Sequence, residues 1–308
     1  MPVAAKRKPA ADSAAVEAVN GKNGPELAGD LTVGEGIHLT FSVALRSLRA
    51  SAARGDVERA QSLHRFRVGV RRLRTLLSAF SAVLPEVQRR DLSRELSIFA
   101  KRYSRAREWD VLISGTLGPL AKAFPGDAVV AEMTGDAETA RRNALPPDAS
   151  LAPQATQVAA VLEAATILAQ PVPEHLAAWR EPLKDYVAKL LSKRHKRLRK
   201  RLKHLDLDDQ AAFHQVRISV KKVRYPLELF RTLFDDDDVA AYLERVIRMQ
   251  NLLGQLNDIS SARLLFAELP LSARGKGMIE GWLARDTLAA RDQIPSAARS
   301  FRRAETFW

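Results

Sequence analysis

The stretch His64-Arg65-Phe66-Arg67-Val68-Gly69-Val70-Arg71-Arg72-Leu73-Arg74 returns without a gap as His214-Gln215-Val216-Arg217-Ile218-Ser219-Val220-Lys221-Lys222-Val223-Arg224, 150 residues further on. Both copies read His-x-x-Arg-φ-x-Val-basic-basic-φ-Arg. On a wheel of 100° per residue, His64, Arg67, Arg71 and Arg74 fall within an arc of about 80°. Phe66, Val70, Leu73, Leu76, Leu77 and Phe80 take the opposite side. His214, Arg217, Lys221 and Arg224 repeat the first arc, and Val216, Val220, Val223, Leu227 and Phe230 repeat the second. Each copy is therefore a helix with one face for a core and one cationic face.

Working outward, Arg107-Glu108-Trp109-Asp110-Val111 aligns with Gln255-Leu256-Asn257-Asp258-Ile259, and Arg46-x-Leu48-Arg49 aligns with Lys196-x-Leu198-Arg199. Matches in one order at near-constant offset indicate a tandem duplication of a helical unit. The first repeat spans 31–145, a Pro-edged connector with one extra helix 146–173, and the second repeat 174–306. Residues 1–30, including the Lys6-Arg7-Lys8 cluster, read as a disordered head. Ala, Leu, Arg, Lys and Glu dominate the rest, and β-branched runs are scarce, so the fold class is all-α. Prolines punctuate the helices, expected at about 35–54, 57–83, 86–117, 127–144, 154–169, 174–204, 208–233, 237–268, 272–292 and 295–304. The two apolar arcs are expected to fill separate bundle cores.

The cationic faces are not ordinary solvated surface. From His64 to Arg74 there are five Arg and no acid, and from Lys193 to Lys203 eight Lys or Arg, with His195, and again no acid. Like charges one turn apart repel, so a stripe without counter-charges calls for an anionic ligand. Arg65 and Arg72 lie off the arc, Lys222 lies with Arg72, and these three read as surface or structural residues. Asp110 falls among Leu92, Leu96, Phe99 and Tyr103, so Asp110 and its counterpart Asp258 read as members of structural ion pairs, with Arg72 or Arg74 the expected partner of Asp110. The acidic run Asp235–Asp238 reads as a helix N-cap.

The chain carries 49 Lys and Arg against 36 Asp and Glu, a formal net charge of +13, which favours polyanionic partners. It has no Cys, which excludes disulfides, thiolate metal sites and Cys nucleophiles. No metal site or cofactor is expected. The most apolar stretch, Val158 to Ala169, is too short to cross a membrane. No apolar core follows the N-terminal basic residues, so a cytoplasmic location is expected.

The doubled His-x-x-Arg motif, its Lys-Lys-φ-Arg-Tyr ending in the second copy and the trailing Arg-x-x-Asp resemble the CHAD family, the conserved histidine α-helical domains. The resemblance covers about 31–305. It implies two pseudo-symmetric four-helix bundles with a basic groove between or along them. It also implies binding of inorganic polyphosphate and association with polyphosphate granules. The Glu-x-Glu-x-Lys motif of the CYTH domain fused to some members is absent, which implies a stand-alone CHAD protein. Carried over, the polyphosphate-binding residues are His64, Arg67, Arg71, Arg74, His214, Arg217, Lys221 and Arg224. Basic residues of each repeat's first helix join them: Arg46 and Arg49, then Lys193, Lys196 and Lys200, with Lys101 and Arg105 from the third helix. Two departures bear on the second half: Pro226 lies inside its motif helix, where a kink is expected, and Gln255 stands where Arg107 precedes Asp110.

The expected function is thus non-catalytic binding of inorganic polyphosphate. A nucleic-acid-binding helical protein is the alternative, since a basic chain suits it equally, but aromatics make up only 6% of residues and do not interleave with the basic stripes. A hydrolase of polyphosphate or phosphate esters is the third reading. Against it, the sequence has no P-loop, no His-Asp doublet and no carboxylate cluster beside a basic motif.

Overall fold

Asp and Pro residues set the helix starts. In the computed structural model, Asp209 caps its helix by accepting from the N–H groups of Ala211 and Ala212 at 2.8 and 3.0 Å. Asp127 does the same for Val129 and Val130. Asp235 caps with Asp237 and Asp238, so the acidic run serves the helix terminus and its dipole. The structure describes residues 25–53, 60–146, 155–170 and 175–308. Its helices are α1 Val33–Ala53, α2 Ala60–Ala79, α3 Glu86–Arg102, α4 Ser104–Leu112, α5 Gly118–Ala123, α6 Ala128–Asn143, α7 Ala155–Leu168, α8 Leu176–Trp179, α9 Leu183–Lys203, α10 Gln210–Leu229, α11 Asp236–Phe266 and α12 Ala273–Arg302. The described residues form no named strand, only an isolated bridge between Thr32 and Pro182. The fold is all-α. Helix bounds recur at the 150-residue offset: α1 matches α9, α2 matches α10, and α3 and α11 start at Glu86 and Asp236.

Two helix expectations are corrected. The helix expected over 86–117 is broken at Tyr103, whose backbone leaves helical geometry (φ −109°, ψ 12°). Ser104 Oγ donates back to the Ala100 carbonyl at 2.9 Å, competing with the helical ladder at the break. Buried Tyr103 packs edge-on to Phe66 of α2, 6.5 Å between ring centroids. A π-helical turn, Ile113–Leu117, follows α4 and leads into Pro119. Conversely, the break expected near Pro295 is absent, and α12 runs through it. Pro226 sits buried inside α10, which runs through it as expected.

The core does not divide along the repeat boundary, contrary to the expected separate cores. One cluster joins Phe66, Leu73 and Leu77 of α2, with Phe80 just past its end, to Val216, Val220 and Leu227 of α10, with Phe230 just past its end. Phe80 meets Phe230 edge-on at 5.7 Å and stacks on Tyr186 at 5.8 Å. The connector helix α7 belongs to this cluster through Val161, Leu162 and Ala165. A second cluster gathers the distal parts of both repeats: Trp109, Leu112 and Met133 with Ile259, Phe266, Ile279 and Leu283. A helical wheel locates each apolar face but carries no information on which other face it meets.

Of the head expected over 1–30, residues 1–24, with Lys6 to Lys8, lie outside the described residues. Leu27 is buried and its N–H donates to Thr232 Oγ1 at 3.0 Å, so the packed body extends N-terminal of residue 31. Among the described residues, no helix is long and apolar enough to cross a membrane.

Candidate functional site

Packing α2 against α10 brings the two cationic arcs to one surface. Arg71 of the first repeat lies over the ring of Tyr225 of the second, 4.8 Å from its centroid. Two adjoining recesses open there. The first, about 710 Å³, takes Arg67, Arg107 and Glu108 from one repeat and Arg217, Lys221, Asn257 and Asp258 from the other. The second, about 540 Å³, is lined by His64, Arg71, Arg74, Arg194 and Lys222. Arg67, Arg107, Lys221 and Tyr225 line both, so the recesses form one groove.

Local structure aims these side chains. The break at Tyr103 exposes the end of α3, and Arg67 Nη1 donates to the Ala100 carbonyl at 2.8 Å. Arg217 donates to Asn257 Oδ1 on α11. Arg67 and its counterpart Arg217 are thus each held by a neutral oxygen, not neutralised by a carboxylate. The π turn places Gly115 and Thr116 on the wall of the first recess.

The electrostatics show crowded cations that Glu108 and Asp258 offset only in part. Burial lowers the pKa of Arg67, and Arg107 and Arg71 lower it further. Lys221 is lowered by burial, then by Arg217, Arg71 and Arg67, with Asp258 opposing. His64 is exposed at the rim, yet partial desolvation, then Arg107, Arg71 and Arg67, hold its imidazole below the ordinary value. Arg67, Arg71, Arg74, Arg217 and Lys221 have no carboxylate within ion-pair distance among the described residues. Such a field stabilises a bound polyanion and disfavours the empty site.

The structure thus brings together His64, Arg67, Arg71, Arg74, Arg217 and Lys221. It does not bring the other expected residues to this groove. His214 is exposed and lines neither recess. Arg224 is turned aside by an ion pair one turn along α10, Nε to Glu228 Oε1 at 2.6 Å. Arg105 is held by Glu108 at 3.1 Å and by Glu268, and lies over Trp109; the bond to Glu268 is the main cause of its raised pKa. Arg46, Arg49, Lys101, Lys196 and Lys200 are exposed and line neither recess. Lys193 lines a third, smaller recess.

Asp110 does not pair with Arg72 or Arg74. Because α4 packs on α6, its buried carboxylate accepts from Arg141 Nε at 2.7 Å, with Arg107 Nη1 at 4.0 Å. Asp258 is no structural ion pair. It is exposed on the groove wall, has no cation within ion-pair distance among the described residues, and accepts from Asn257 Nδ2 at 3.3 Å. Gln255, where the first repeat has Arg107, removes the cation one turn away.

Groove residues not anticipated are Arg107, Arg194 and Tyr225, together with Lys222, which was read as off the arc. The Arg-x-x-Asp motif did mark Arg107, but only as a companion of Asp110. Arg194 lay within an eight-cation run that offered no means of choosing among its members.

Comparison with known proteins identifies the fold and the family. A crystal structure of the CHAD domain from the plant Ricinus communis is similar over 92% of this chain and 96% of that one, at 26% identity and a TM-score of 0.61. The structure of PptA from Streptomyces chartreusis shares the fold over 84% of this chain and 99% of that one, at 18% identity and a TM-score of 0.59. No curated protein matches. Residues 41–267, which carry both motif helices and every groove residue except Asp286, match the CHAD domain, and the chain therefore belongs to the CHAD domain family.

Proposed function

We propose that this protein binds inorganic polyphosphate non-catalytically in the groove between α2 and α10, and that it associates with polyphosphate granules in the cytoplasm. The observation that supports the reading is the convergence of Arg67, Arg71, Arg107, Arg217 and Lys221 from both repeats on one surface, where among the described residues all but Arg107 lack a carboxylate within ion-pair distance. Arg offers forked donors to phosphate oxygens, and Lys a mobile charge. A repeated ligand with about one charge per phosphate matches a row of such groups. Tyr225 already lies against Arg71, and no further aromatic lines either recess, so the groove offers little for stacking bases.

A competition experiment tests this. Labelled long-chain polyphosphate is challenged with duplex DNA, RNA and heparin at physiological salt. The expected result is that polyphosphate is displaced least readily by the nucleic acids. DNA winning the competition would replace the reading with the nucleic-acid one. Phosphate release from polyphosphate by the purified protein with added Mg²⁺ would replace it with a hydrolase.

A further inference from the structure

Beyond the second recess lies a third, of about 220 Å³, and the two meet at Ser78, Arg194 and Lys222, which line both. The third recess sits where α9, the end of α2 and α10 cross. It adds Lys193 and Arg197 from α9 and the hydroxyls of Ser81 and Ser219, and no carboxylate lines it. None of Lys193, Arg194, Arg197 and Lys222 has a carboxylate within ion-pair distance among the described residues.

Arg194 forms the crossbar between the two recesses. Its Nη2 donates to the carbonyl and hydroxyl of Ser78 at 3.0 and 3.1 Å, and its Nη1 to the Lys222 carbonyl at 2.7 Å. These neutral acceptors take part of its donor set and leave its charge without a carboxylate partner. Burial pushes its pKa down to about 10, so it stays charged at neutral pH with nothing nearby to balance it. Lys222 is lowered by burial and then by Arg194, Arg197 and Arg201. The opposite end of the groove is less strongly cationic: Glu108, Asp258 and Asp286 line the first recess alongside its cations.

We infer that a polyphosphate chain enters the groove at the first recess, runs through the second, and crosses Arg194 into the third, where Lys193, Arg197 and Lys222 bind it. The carboxylates of the first recess weaken its hold on a polyanion, and the third recess, lined by no carboxylate, is the end through which a long chain continues. This rests on the proposed function and adds to it a path and a set of residues.

The test is the charge reversal Lys193→Glu with Arg197→Glu, two exposed positions whose change leaves the Arg194 crossbar in place. Wild type and variant are titrated with tripolyphosphate and with long-chain polyphosphate at two salt concentrations. Thermal melting confirms that the variant is folded. The expected result is a loss of at least about tenfold in long-chain affinity, a salt slope smaller by about two, and tripolyphosphate binding within about twofold of wild type. Long-chain affinity equal to wild type, or equal losses for both ligands, would overturn the third recess as an exit. Failure of the wild type itself to bind polyphosphate would instead reject the proposed function, so the two failures are told apart by the wild-type titration alone.

Discussion

Replacing Arg67 and Arg71 together by Ala separates binding from folding, and the structure allows both effects to be sized. Arg67 gives up one hydrogen bond to the Ala100 carbonyl, worth about 1 kcal/mol net. Arg71 gives up its place over Tyr225, worth about 0.5–1 kcal/mol at a site this exposed. Against these losses, Lys221 and His64 are relieved of two cations that disfavour their charged forms. The terms oppose, so stability is expected to change by no more than about 1 kcal/mol. Binding changes much more. Two fewer phosphate contacts lower the salt slope by about 1.8, if the value for duplex DNA carries over, which at 0.15 M salt amounts to about a 30-fold loss of affinity. The assay is titration with long-chain polyphosphate at several salt concentrations, paired with thermal unfolding of the free proteins. A loss of affinity with an unchanged slope, or a melting temperature lowered as far as by a core truncation, would refute the claim that these arginines act as phosphate contacts.

Leu73→Ala is the matching control: the side chain is fully buried between the repeats, so about 2–5 kcal/mol of stability is expected to go, read by chemical denaturation, with the salt slope of binding kept. Asp110→Asn leaves Arg141 buried without its counter-ion and is expected to cost about 3–5 kcal/mol; a variant as stable as wild type in urea would show that the pair is dispensable. For His64 the signs run in opposite directions in free and bound protein. Its folded pKa is depressed, so its contribution to the stability of the free protein is present above the ordinary histidine value near 6.5 and is lost as pH falls below it. A bound polyanion reverses the field, so polyphosphate affinity is expected to rise between pH 8 and pH 5.5, and His64→Gln to flatten that rise. An identical pH profile in the variant would exclude His64 as the titrating group.

The all-α class, the 150-residue offset and the two faces of each motif helix were legible because they depend only on helical periodicity and on residue type. That same local information identified Arg67, Arg71, Arg74, Arg217 and Lys221, whose arc is set by their own helix. It did not reach Arg107 against Arg105. Two residues apart on a helix means about 200° of rotation, so one points into the groove and the other to Glu268 just past the end of α11. Nor did it distinguish Arg194 from Lys196 and Lys200 within one basic helix, or show that Arg224 has Glu228 as a partner while Arg74 faces the groove. The apolar arcs were identified without their mates, and Phe80 meeting Phe230 across the repeats is what draws α2 and α10 together. Sequence by itself determined which faces are apolar and which are cationic, because side-chain direction along a helix is a local property. Only the tertiary structure decided which cations share a groove, because that depends on where separate helices cross, and crossing is set by packing between residues far apart in the chain.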